Sequence, residues 1–172
     1  MRTEEASTPA IYVGTYGKYN NGNITGAWLS LAEHGTAEEF YDAARKLHKH
    51  EHDPELMFQD FENFPREFYG ESGCDSRLWE WLALDKHDRE IVAAWLDRMG
   101  GSDSIEYILG CFVGTADTWE DFVLESVNAM GLLDELPNHL QSYFDFDAYG
   151  RNLRHSYTVA DTNGAVWVFH NG

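Results

Sequence analysis

Between Arg98 and Arg151 the chain contains no lysine and no arginine, yet it carries ten carboxylates. A segment without bases cannot grip phosphates, so this stretch is excluded as a direct binder of DNA, RNA or an anionic membrane. Cysteine is scarce as well. Cys74 and Cys111 are the only two, too few for a disulfide framework, and they read as free thiols in a reducing compartment. No apolar run reaches the ~18 residues a membrane helix needs. The opening MRTEEASTPA has no apolar segment of the kind a signal peptide requires, so a cytoplasmic location is expected.

The motifs of known chemistries are missing too. There is no His-Glu-x-x-His pair, no Gly-x-Ser-x-Gly elbow and no glycine loop ending in Lys-Ser/Thr. His48, His50 and His52 stand two residues apart, a spacing that fits neither one helix face nor a common zinc pattern. They read as a solvated helix end. Acid pairs such as Asp145 and Asp147 could serve as acid and base or hold a divalent ion. Among 30 acids such pairs arise by chance. No catalytic constellation emerges, and neither an enzyme, a metal nor a cofactor is expected.

What the chain does have is a core. Hydrophobic residues make up 43% and aromatics 15% of its 172 residues, too much for a disordered protein. Thirty acids against 12 bases give a net charge of −18. Such an imbalance costs stability through self-repulsion and suits a partner with a basic surface.

Taken in order, residues 11–16 (IYVGTY) read as a strand, 18–23 as a turn and 24–31 (ITGAWLSL) as a second strand. Thr36 and Glu39 form a capping box, followed by Phe40, Ala44 and Leu47 at helical spacing. Asp53 and Pro54 mark a stop, and residues 55–61 (ELMFQDF) read as a third strand. Asp75 can cap a helix carrying Leu78, Trp79 and Leu82. A second helix, 88–99, has Ile91, Val92, Trp95 and Leu96 on one stripe and stops at Gly100 and Gly101. Further helices are expected over 103–111, from Thr118 to Met130, over 138–143 and over 145–154. Phe112 to Gly114 is read as a helix break. Strands 156–160 and 165–170 are joined by Asn163-Gly164, a strong hairpin signal. The expected class is α+β, with small antiparallel sheets.

The helix after Thr118 shows what the missing bases mean. Phe122, Val123, Val127 and Met130 make its apolar stripe, and Glu120, Asp121 and Glu125 lie opposite. Asp121 and Glu125 are four residues apart, where like charges repel. Four residues rise about 6 Å, close to the axial distance spanned by every second phosphate of a DNA strand, at ~3.4 Å each. An acidic surface of that spacing offers a DNA-binding protein the charge it expects. On composition alone the plainer reading, acidity for solubility, carries more weight. The base-free block narrows that margin.

A resemblance then weighs in. Residues 132–151, LLDELPNHLQSYFDFDAYGR, resemble the antirestriction motif of the ArdA proteins. Residues 11–22 (IYVGTYGKYNNG), 26–29 (GAWL), 54–62 (PELMFQDFE), Phe112 with Gly114, 118–122 (TWEDF) and the closing VWVF at 166–169 are similar to other parts of that family. Phe146, Gly150 and Asn152 depart from its pattern, where Tyr, Ala and an acid are usual.

The resemblance implies a non-catalytic inhibitor of type I restriction-modification enzymes, bacterial and carried by mobile elements. It implies an elongated chain of three small domains, 1–64 (α+β), 65–101 (helical) and 102–172 (α+β). A homodimer formed through the last domain would mimic B-form DNA and occupy the groove of the methyltransferase core. The expected phosphate stand-ins are Asp103, Glu106, Asp117, Glu120, Asp121, Glu125, Asp134, Glu135, Asp145 and Asp147, with Glu80 and Asp88 upstream. The expected motif and dimer residues are Leu132, Leu133, Leu136, Pro137, Leu140, Tyr143, Phe144, Asp145, Tyr149 and Arg151. Another acidic-module role, bound to a different basic DNA-binding protein, is the alternative.

Overall fold

The computed structural model describes residues 8–171. It is α+β, with eight α-helices and two three-stranded antiparallel sheets among the described residues. The chain divides into two compact units, one reaching Arg89 and the other starting at Glu90.

In the first unit, β1 (Ala10–Thr15) lies between β2 (Ala27–Ser30) and β3 (Leu56–Glu62). Alternation sends Ile11 and Val13 fully into the core. The strand was expected to reach Tyr16 and residues 18–23 to form a turn. Instead Thr15 accepts a hydrogen bond from Lys18 N at 3.2 Å and starts a short helix, α1 (Tyr16–Asn20). A hydroxyl at a helix N-cap satisfies an otherwise orphaned amide. α2 (Ala37–Leu47) begins at the expected cap, with Thr36 Oγ1 accepting from Glu39 N at 3.2 Å. Glu39 reaches back one residue further than the usual box and accepts from Gly35 N. Phe40 and Ala44 are buried, whereas Leu47, expected on the same stripe, is exposed.

α3 (Arg77–Ala83) follows a turn in which Asp75 accepts from Arg77 N at 2.9 Å and pairs with its guanidinium. Its apolar face is rotated from the expected one. Leu78 and Trp81 are buried, Leu82 is half-buried, and Trp79 rests beside Phe40 and Tyr41. Arg89 explains the rotation: its carbonyl accepts from Trp81 Nε1 and its guanidinium stacks on the Trp81 ring at 5.3 Å. α4 (Lys86–Met99) starts two residues earlier than expected and carries the chain into the second unit. Ile91, Val92, Trp95 and Leu96 are all buried, and Gly100 and Gly101 take positive φ at its end.

The second unit contains α5 (Ile105–Cys111), β4 (Phe112–Ala116), α6 (Trp119–Ala129), α7 (Asn138–Gln141), α8 (Phe146–Leu153), β5 (Tyr157–Thr162) and β6 (Ala165–His170). Its sheet runs β4-β6-β5. β4 corrects the expected helix break at 112–114. Its five residues carry little strand signal, because only its pairing with β6 makes it one, Phe112 against Phe169 and Thr115 against Trp167. The β5–β6 hairpin turns on Asn163 and Gly164 at φ 56° and 76°, the two positive values of a type I′ turn. The core gathers Trp119, Phe122, Val123 and Val127 of α6 against Val168. Met130, expected to extend that stripe, is 56% exposed, because α6 has already ended. No helix among the described residues is long and apolar enough to cross a membrane.

Candidate functional site

The second unit holds thirteen acids and three bases, a net charge of −10. The ten carboxylates of the base-free block all belong to it. Nine of them are exposed: Glu106, Asp117, Glu120, Asp121, Glu125, Asp134, Glu135, Asp145 and Asp147. Asp103 is half-buried, because Trp95 Nε1 donates to its Oδ2 at 3.1 Å. None of the nine is ion-paired among the described residues. Of the two upstream acids, Glu80 is exposed on α3 and Asp88 half-buried on α4, both in the first unit.

Two of the nine also hold local structure. Thr118 accepts from Asp121 N, and its hydroxyl donates to Asp121 Oδ2 at 2.6 Å. Asp145 caps α8 by accepting from Ala148 N at 2.8 Å. Glu120 and Glu125 have no such duty. They are the cleanest charges on α6, and with Asp121 they give the helix three exposed acids and no base of its own.

The motif divides by burial. Leu133, Phe144 and Tyr149 pack against the core, Phe144 meeting Phe146 at 4.8 Å and Tyr149 at 5.6 Å. Leu132, Leu136, Leu140 and Tyr143 are instead exposed, Tyr143 to 82%. Leu136, Leu140 and Tyr143 therefore do not serve the packing of their own unit in the way Leu133 does. Pro137 is exposed and leads into α7, its carbonyl accepting from Leu140 N. Arg151 and Arg154, three residues apart beside acidic neighbours, would most simply pair with carboxylates, yet neither is ion-paired among the described residues. They line a cleft of about 430 Å³ with Glu120 and Asp147. Arg154 lies over the Trp119 ring at 5.1 Å, a cation–π contact that holds its guanidinium in place of an ion pair.

The three histidines do not share the expected solvated helix end. His50 and His52 are exposed, but His48 is only 3% exposed. Its Nε2 faces Val13 O at 3.3 Å and its Nδ1 faces Lys18 Nζ at 2.8 Å. Lys18 reaches Glu51 at 3.0 Å, and Thr15 donates to Glu51 at 2.8 Å. Burial raises the Glu51 pKa, but hydrogen bonds from Lys18 and Thr15 and the nearby positive charges outweigh it, leaving the carboxyl below its ordinary value. Only the second half of this cluster was visible in sequence, because Thr15 and Lys18 are 30 or more residues from their partners.

The surface is that of a small acidic α+β protein presenting unpaired carboxylates beside a partly exposed apolar motif. Residues 11–168 match the antirestriction protein family ArdA, and the chain belongs to that family. Membership gives it an antirestriction function. No curated protein matches the chain.

Proposed function

We propose that the protein acts as a DNA mimic, occupying the DNA groove of the methyltransferase core of type I restriction-modification enzymes as a homodimer. The observation that carries this reading is the set of nine exposed carboxylates without an ionic partner in a stretch without bases. A surface kept only for solubility mixes signs at little cost, since exposed pairs are worth a fraction of a kcal/mol. Omitting every base over about fifty residues serves a partner that is itself basic. Asp121 and Glu125, four residues apart on α6, supply the spacing argument, a rise of about 6 Å. The exposed Leu132, Leu136, Leu140 and Tyr143 support self-association, because four large apolar side chains left in water within twelve residues of a charged protein suit an interface.

The test is competition. A type I methyltransferase and a labelled duplex are mixed with increasing protein, and displaced duplex is followed by anisotropy. Displacement that weakens by an order of magnitude or more between about 50 and 200 mM salt is expected, as for DNA itself. Undiminished duplex binding at excess protein overturns the reading. Capture of a nucleoid protein instead of the methyltransferase would favour the alternative basic partner.

A further inference from the structure

The first unit carries an aromatic cleft that the acidic block does not explain. β1 pairs Tyr12 with Trp28 on one side and with Asp60 on the other, so the three side chains stand in a row across one face of the sheet. The Tyr12 and Trp28 rings meet edge to face at 5.5 Å. Trp28 is 45% exposed and Ile24 beside it 69%, large apolar surfaces left in water at the rim of a cleft of about 550 Å³. The cleft is built. Tyr12 Oη accepts from Gly26 N at 3.0 Å and donates to Ile24 O, tying the rim loop to the sheet. A Cβ at Gly26 would fall 2.3 Å from Val13 O, so the loop runs flush against β1. On the far side Tyr69 Oη donates to Phe58 O at 2.7 Å, and Phe58 N donates to Glu71 O at 2.7 Å. These bonds strap the other wall to β3.

Asp60 and Glu71 give this aromatic cleft a negative field. Neither is ion-paired among the described residues. The Tyr69 hydroxyl pKa is raised, first by burial and then by Glu71 and Asp60, both of which act on it more strongly than Arg66 does in the opposite sense. Ring faces beside carboxylates are complementary to a flat cation. A guanidinium stacks on the rings and presents a fork of N–H donors to the acids, which an ammonium cannot match. Arg66 already lies 5.9 Å from the Tyr69 ring centre, so the same chemistry operates at the edge of the cleft. Nucleic-acid bases could stack here as well, but their phosphates would meet a protein of charge −18. Free arginine would bring a carboxylate into the same field.

We propose that this cleft receives an arginine side chain presented by the basic protein partner, adding a stacking contact to the charge of the acidic block. The proposal rests on the reading that the partner is a basic protein surface. It is tested on the ¹⁵N-labelled full chain titrated with N-acetyl-arginine methylamide, which has uncharged ends, at fixed ionic strength. Saturable shifts confined to the Trp28 indole N–H and the amides of Tyr12, Asp60 and Glu71 are expected. Binding by N-acetyl-lysine methylamide should be weaker by about threefold or more. Asp60→Asn with Glu71→Gln should weaken arginine binding about fivefold or more while the spectrum stays dispersed. Trp28→Ala should do the same, with Trp28→Phe restoring most of it. Shifts scattered without saturation over the acids of both units overturn the proposal. So do shifts of these residues by oligothymidylate but not by arginine. A further arm separates the two readings. If the protein displaces DNA from the methyltransferase and Trp28→Ala displaces it equally well, mimicry stands and the cleft proposal fails. If the protein displaces no DNA yet arginine saturates the cleft, mimicry fails and the site stands.

Discussion

Lys18 Nζ lies 2.8 Å from Nδ1 of His48, a buried imidazole whose Nε2 faces the Val13 carbonyl. The carbonyl can only accept, so Nε2 carries the hydrogen and Nδ1 is the acceptor for Lys18. The imidazole thus links the lysine to the middle strand of the first sheet. His48→Ala removes that link and leaves buried groups without partners, at a cost of roughly 1–3 kcal/mol. His50→Ala and His52→Ala, both exposed, should each stay within about 0.5 kcal/mol of the parent. Urea unfolding of the three variants measures the contrast.

Glu51 gives the same cluster a pH dependence. Its carboxyl is held below the ordinary value by Lys18 and Thr15 against the effect of burial. A depressed folded-state pKa stabilises above the unfolded value and is lost as pH falls through the folded one. Asp75, lowered chiefly by its hydrogen bond from Arg77, behaves alike. The stability gap between the parent and Glu51→Gln should therefore be full at pH 7 and shrink below about pH 4. Unfolding midpoints compared across about pH 3 to 7 would contradict this if the gap widened on acidification.

On α6 the acids separate into those that hold the helix and those that do not. The Asp121 carboxylate accepts from the Thr118 hydroxyl, so Asp121→Lys should lose both that bond and the charge while the backbone cap remains. Glu120→Lys with Glu125→Lys should leave the thermal midpoint unchanged or slightly raised. A base in place of Glu125, one turn beyond Asp121, replaces a repulsive pair by an attractive one worth about a few tenths of a kcal/mol. The same double variant should displace DNA from the methyltransferase at least about tenfold less well. Equal displacement by variant and parent would put the contact surface elsewhere.

The antirestriction motif should answer mutation in two ways. Phe144→Ala cuts into the core against Phe146 and Tyr149 and should destabilise by about 3 kcal/mol. Tyr143→Ala and Leu140→Ala remove exposed surface and should leave a folded protein with a smaller mass in solution. Sedimentation equilibrium paired with circular dichroism distinguishes them.

Cys74 should be unreactive while the protein is folded. Burial pushes its thiol up to about 12, and the thiolate is the reactive species. Iodoacetamide at about pH 8, below the thiol pKa of even an ordinary cysteine, should alkylate it quickly only after denaturant is added, as read by mass spectrometry.

Local sequence determined a good part of this protein. The Thr36 and Thr118 caps, the α4 stripe and the Asn163-Gly164 turn depend on residues within a few positions of one another, and local rules act at that range. The charge of the acidic block was equally plain, since leaving out a base needs no fold to be seen. Tertiary structure decided the rest. β4 exists because β6 pairs with it, Trp81 faces inward because Arg89 folds over it, and His48 is buried because Lys18 and Val13 come from another part of the chain. It also split the motif, turning Leu133 and Phe144 inward and Leu140 and Tyr143 outward. Their apolar character is the same, and only the position of the core separates a residue that packs from one left for a partner.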